Sequence, residues 1–130
     1  SKLTFNFKLE KIPFFREAEE MYKKGITTRM NKNNRELVEN NWSFVNKTEF
    51  IKEELMLDPQ TNGGLLIAVS ESKTPYVIEA LHKAGIIFSS KIGYVGEFTK
   101  SKIRFIWSKI TKSNLFIQRL LDYCLIEINF

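Results

Sequence analysis

Apolar and polar residues alternate strictly at the start of the chain. In "LTFNFKLE", Leu3, Phe5, Phe7 and Leu9 are separated by Thr4, Asn6 and Lys8, the period-two pattern of a strand with one buried face. The period then becomes helical. Pro13 suits a first helical turn, Phe14, Ala18 and Met21 fall on one face of "FFREAEEMYKK", and Gly25 supplies a stop. Between Ile26 and Asn46 no period is sustained and Asn and Thr are frequent. Because Asn side chains compete with backbone pairing, this segment is expected to be a long surface loop with a short extended piece from Trp42 to Val45. Thr48 is placed to cap a short helix, "EFIKEEL", that turns Phe50, Ile51 and Leu55 toward the core.

Leu65 to Val69 is a continuous apolar run, as expected for a strand covered on both faces. A well-punctuated helix follows in "SESKTPYVIEALHKAG": Thr74 is the expected N-cap, Pro75 the first helical residue, Val77, Ile78, Leu81 and Ala84 the buried stripe, and Gly85 the stop. "IIFSSKIGYVGEF" then returns as extended structure with a bend or bulge at Gly93. Further on, Phe116, Leu120, Leu121, Cys124 and Ile128 recur at helical spacing, which predicts an amphipathic helix. The alternation of elements implies an α/β fold in two layers, a mixed β-sheet with helices packed on it. If the strands flanking the Thr74 helix are parallel neighbours, a right-handed crossover joins them. We divide the chain into a domain over 1–97 and a basic, then amphipathic, C-terminal tail over 98–130, helical and packed on that domain.

Composition narrows the function classes. A chain of 130 residues with 43% hydrophobic residues and eleven Phe has enough apolar surface for one folded core. No run approaches the roughly 18 apolar residues of a membrane span, and the start carries no basic-then-apolar leader pattern. The chain reads as cytoplasmic, without membrane contact. A single cysteine, Cys124, excludes an internal disulfide and a Cys-cluster metal site. The net charge of +5 is local: six Lys/Arg stand against two acids from Lys100 onward, leaving +1 for the remainder. A basic footprint spread over the fold is therefore missing, and nucleic acid is not an expected partner.

The candidate chemistry lies in "MLDPQTNGGLLIAV". Pro59 disfavours helix at Asp58, and Asn62, Gly63 and Gly64 accept positive φ at little cost. Such a corner is either a plain tight turn or a nest of backbone amides, with the Thr61 hydroxyl, able to sit against an anion. It lacks the Gly-x-x-x-x-Gly-Lys-Ser/Thr pattern of a Walker loop. Asp58 has two readings, a ligand to metal or water and a cap on the loop's own amides. His82 has no nearby ligand partner in sequence and reads as a helix-edge residue, and Cys124 reads as a small buried apolar one.

"LDPQTNGGLLIAV" resembles the Asp-Pro-Gln-Thr-Ser-Gly-Gly-Leu-Leu signature of the C-terminal domain of selenophosphate synthetase (selenide, water dikinase). Asp58, Pro59, Gln60, Thr61, Gly63, Gly64, Leu65 and Leu66 stand as in that family, with Asn62 in place of its Ser. "IPFFREAEEMYKKGI", Asn34, "IEALHKAGI" and "IGYV" are similar to further family segments, so the likeness spans residues 3 to 96. The resemblance implies a fold like the C-terminal domain of the aminoimidazole ribonucleotide synthetase superfamily. It also implies a whole enzyme that converts ATP, selenide and water to selenophosphate, AMP and phosphate, working as a homodimer with ATP and magnesium held by an N-terminal domain.

The family's Cys or selenocysteine, its neighbouring Lys, its metal-binding aspartates and its glycine-rich nucleotide segment all precede the matched region and have no counterpart in this sequence. The expectation is a C-terminal domain alone, inactive by itself, with no catalytic residue, metal site or tightly bound cofactor of its own. Its partner is the missing N-terminal ATP-binding domain. Asp58, Gln60, Thr61, Asn62, Gly63 and Gly64 then form the loop nearest the nucleotide phosphates. A non-catalytic binding or assembly module that keeps the fold and uses the tail as its contact surface is the alternative.

Overall fold

The computed structural model describes residues 2–46, 48–59, 64–107 and 120–128; within the last segment it describes the backbone and the side chain of Ile126. The elements run β1 (Leu3–Lys8), α1 (Arg16–Lys23), α2 (Met30–Val38), β2 (Trp42–Phe44), α3 (Phe50–Leu57), β3 (Leu65–Ser70), α4 (Thr74–Lys83), β4 (Ser90–Glu97), β5 (Ile103–Ile106) and β6 (Leu120–Ile128). The strands form one sheet in the order β2-β5-β1-β4-β6-β3. β1 pairs with β5 and β5 with β2 in parallel, whereas β1–β4, β4–β6 and β6–β3 are antiparallel. This is the mixed sheet with packed helices that the alternation of elements implied.

Period two sorts the sheet into two faces. Phe5 lies opposite Val95 and Ile103, and Phe7 opposite Gly93 and Phe105, so the alternating residues of β1 meet apolar partners on both sides. Trp42 and Phe44 extend the same face from β2, with the Phe44 and Phe105 rings stacked at 4.9 Å. Ile92 and Val95 form the buried centre on which Leu3, Phe5 and Phe7 pack. The opposite face of β1 carries Thr4 and Asn6, both fully buried. Thr4 Oγ1 donates to the Ser101 carbonyl at 2.8 Å, and the Asn6 amide donates to the Thr4 carbonyl.

Gly25 and Gly85 stop α1 and α4 as expected, each at positive φ (77° and 89°), where a side chain would strain the backbone. Ile26 N and Ile86 N then bond back to the Met21 and Leu81 carbonyls, closing both helix ends. β4 is one strand with register shifts between Lys91 and Gly93 and between Tyr94 and Gly96, the irregularity expected near Gly93.

Other expectations are corrected. In the tail over 98–130, where a helix is expected across the Phe116–Ile128 pattern, Leu120–Ile128 is a strand, and Phe116 lies outside the described residues. β6 is inserted between β4 and β3, so Cys124 lies in a strand opposite Val69 and Tyr94. A short apolar run fits a central strand as well as a helix, and pairing on both edges decides the matter. For the same reason β3 and β4 are parallel but not neighbours.

β3 is not covered on both faces. It is an edge strand of the sheet, with Leu65 56% and Leu66 49% exposed. The segment from Ile26 to Asn46 is not a loop throughout, since α2 occupies Met30–Val38, although β2 is the extended piece expected there. At the helix starts, α1 begins at Arg16, three residues after Pro13. Thr48 caps nothing: its hydroxyl donates to the Asn46 carbonyl, and Phe50 is exposed. Thr74 is the first residue of α4 and not its cap, its hydroxyl reaching the Ser70 carbonyl at 3.1 Å.

Candidate functional site

The corner after Pro59 joins the end of α3 to the start of β3. Of its expected site residues, Asp58 is the C-terminal flank of α3 in extended geometry (φ −60°, ψ 129°) and Gly64 is the exposed residue before β3. Gln60, Thr61, Asn62 and Gly63 lie outside the described residues. The structure therefore shows what holds the two ends of the corner.

The Asp58 end is held by side chains from α1 and α2. Tyr22 Oη donates to Asp58 Oδ1 at 2.6 Å, short for an uncharged donor and typical of a hydroxyl on a carboxylate. Asn34 Nδ2 donates to the Leu57 carbonyl at 2.7 Å. Asn31, 4% exposed, lies behind them. Its amide nitrogen bonds Tyr22 Oη at 3.2 Å, the Glu54 carbonyl at 3.0 Å and Glu54 Oε2 at 2.9 Å, and its carbonyl oxygen accepts from Thr28 Oγ1 at 2.6 Å. Arg35 closes the seam, bonding Glu54 Oε1 at 2.6 Å and Glu53 Oε2 at 3.2 Å. Its guanidinium also lies over the Trp42 and Phe50 rings, at 5.6 Å and 5.7 Å.

Two shifts follow from these contacts. Burial pushes the Tyr22 phenol above its ordinary range, and the bond to Asp58 pushes it the same way, because ionising the phenol would set two anions side by side. Burial acting alone would raise Glu54, but the Arg35 and Asn31 hydrogen bonds outweigh it and hold the carboxyl below its ordinary range.

The Gly64 end opens on an apolar groove of about 240 Å³. Phe7, Phe105 and Ile103 line it from the sheet, Met56 from α3, and Leu65 and Leu66 from β3. A phosphate has no reason to enter such a groove, whereas an apolar surface of a partner has. The corner thus sits between a polar clamp and an apolar opening.

Sequence reasoning did not single out Tyr22, Asn31, Arg35 or Glu54. A signal was present: Asn31, Asn34, Arg35 and Val38 recur at i, i+3, i+4 and i+7, and they are the turned-in residues of α2 while Lys32, Asn33, Glu36 and Leu37 are exposed. A helical stripe made of polar residues escapes a search for apolar ones. Elsewhere, His82 is an exposed helix-edge residue whose Nε2 lies 3.0 Å from the Ser89 carbonyl, as expected. Among the described residues no group of three or more His, Cys, Asp or Glu is arranged to hold a metal ion, and no helix is long and apolar enough to cross a membrane.

This chain is similar to selenide, water dikinases. The protein of that name from Bdellovibrio bacteriovorus is 33% identical over 81 residues, covering 62% of this chain and 23% of the relative. The one from Aliarcobacter butzleri is 28% identical over 95 residues, covering 73% of this chain and 28% of the relative. The chain spans about a quarter of the length of the curated relatives it matches. Both support a relationship to that family. No protein-family model matches the chain, and no solved structure does.

Proposed function

We propose that this chain is the C-terminal domain of a selenophosphate synthetase-like enzyme, with the domain boundaries and superfamily fold that the resemblance implies. The complete enzyme converts ATP, selenide and water to selenophosphate, AMP and phosphate. The observation that carries this reading is the corner itself: the residues matching the family signature, Asp58 to Leu66, join a clamped helix end to an exposed apolar groove, and the relatives are selenide, water dikinases.

Phosphoryl transfer is dominated by positioned donors and metal that offset developing charge on the phosphate oxygens. The role of this chain is to present backbone amides and the Thr61 hydroxyl from Gln60–Gly64 to the phosphates, at the face turned toward the ATP-binding half. Small residues at Gly63 and Gly64 allow main chain to approach, and Asn62 supplies an amide where the family has a hydroxyl. Magnesium is placed in the ATP-binding half by the resemblance, and no step is assigned to it on this chain. The groove at Leu65 and Leu66 is where that half packs. The contact is apolar and the chemistry stays at the corner.

The test is to mix the chain with a separately made ATP-binding half of a selenide, water dikinase and follow AMP formation. The reading expects AMP that depends on both ATP and selenide, and on both parts. It further expects Gly63→Val to lower turnover by at least tenfold while the two parts still associate. Association without turnover would favour the non-catalytic assembly module, and full turnover by folded Gly63→Val would reduce the corner to architecture.

A further inference from the structure

α3 does not end the way α1 and α4 end. Those two close on Gly25 and Gly85 at positive φ, with backbone bonds returning to their own last turns, so their exits are set locally. A helix leaves its last four carbonyls without partners inside it. In α3 one of them, Leu55, accepts from Asp58 N at 3.4 Å, and two others are met from outside: Asn31 takes the Glu54 carbonyl and Asn34 the Leu57 carbonyl. The next residue, Asp58, is extended and precedes a proline, and Tyr22 of α1 takes its carboxylate. Side chains of two other helices therefore help to fix the direction in which the chain leaves α3. Tyr22 and Asn31 are both buried, and burying polar groups for this purpose costs free energy that an apolar contact would not.

We infer that Tyr22 and Asn34 are positioning residues, which hold Asp58 and the Leu57 carbonyl in one place and so set the angle at which the chain enters the corner. They touch neither substrate nor nucleotide; they act through Asp58. That the angle matters for phosphoryl transfer rests on the function proposed above, because donors displaced by about 1 Å from a transition state lose about a hundredfold in rate.

The experiment uses the whole chain, as wild type, Tyr22→Phe and Asn34→Ala, and reads backbone amide order parameters by nuclear magnetic resonance relaxation. The wild type is expected to show Asp58 near the rigid value of about 0.85, and each variant to bring it below about 0.6 while Phe50–Leu55 stay rigid. A fold-wide structural role would not confine the change to residue 58, and only folded molecules contribute to the signal. Asp58 equally ordered in all three proteins overturns the inference. Tyr22→Phe removes only a hydroxyl, and Asp58→Asn adds a readout that keeps Tyr22 in place: its phenol absorbance should titrate at lower pH than in wild type, and an unmoved midpoint also overturns it. With the ATP-binding half added, loss of order at Asp58 should bring a parallel fall in kcat. Lost order with undiminished kcat leaves the positioning role standing and refutes the corner's role at the phosphates.

Discussion

The helical side of this molecule and its β3 edge are finished in opposite ways. Around Asn31 the polar atoms of Tyr22, Thr28, Glu54 and Asn31 itself are joined within one network, and Arg35 seals it with two carboxylates and two rings. At β3 the backbone pairs with β6, yet Leu65 and Leu66 remain half exposed over an apolar groove. In the first region buried polar groups are paired within the chain. The second leaves apolar side chains half exposed, where the proposed ATP-binding half would pack, and the candidate corner joins the two.

Four perturbations separate these regions, in decreasing order of effect. Asn31→Leu keeps the branching of the side chain and removes the hub, leaving the Glu54 carbonyl and the Thr28 hydroxyl without this partner. At about 1–3 kcal/mol for each polar group so stranded, chemical denaturation should show a loss of roughly 2–6 kcal/mol. Tyr22→Phe removes one hydroxyl bonded to a carboxylate and should cost about 1.5 kcal/mol by the same measurement.

The third perturbation is pH. Glu54 is depressed in the fold from its ordinary 4.5, so its contribution is present above that value and lost as pH falls through the lower folded one. Tyr22 is raised from 10.0, so its contribution is present below that value and lost as pH rises through the higher folded one. Stability followed against pH should fall at both ends, and Tyr22→Phe should flatten the alkaline fall while sparing the acid one.

The smallest effect on stability is expected at the groove. Leu65→Lys with Leu66→Lys exchanges exposed residues of an edge strand, where lysine is tolerated, and should change stability by less than about 0.5 kcal/mol. The same pair should abolish binding to the ATP-binding half, measured by sedimentation or calorimetry. Stability loss as large as that of Asn31→Leu would place these leucines in a closed core.

The apolar patterns were legible where they followed a single period. β1 was written in Leu3, Phe5 and Phe7, and the ends of α1 and α4 in Gly25 and Gly85. β4 carried its bulge at Gly93, and the mixed sheet with packed helices followed from the order of these elements. Three places were not legible, each for a physical reason. α2 turns Asn31, Asn34 and Arg35 inward, so its period is polar. β6 lies inside the sheet, between β4 and β3, yet its apolar residues also satisfy helical spacing. β3 looks buried in sequence because Leu65 to Val69 is a continuous apolar run, but topology puts it at an edge and leaves Leu65 and Leu66 about half exposed. Of the expected site residues, Asp58 and Gly64 lie among the described residues, and the clamp that holds Asp58 comes from residues with no apolar pattern to mark them.

The central claim is that this chain is one part of a two-part catalytic assembly, closed by itself at the helical clamp and open at the groove. Hydrogen exchange, resolved by residue with and without the separate ATP-binding half of a selenide, water dikinase, tests it most directly. The account predicts that amides at the end of α3 exchange alike in both samples, while Leu65 to Ile67 and the corner before them become at least tenfold slower when the second part and ATP are present. Protection that appears on α4 or β2, with the corner and β3 unchanged, would contradict it.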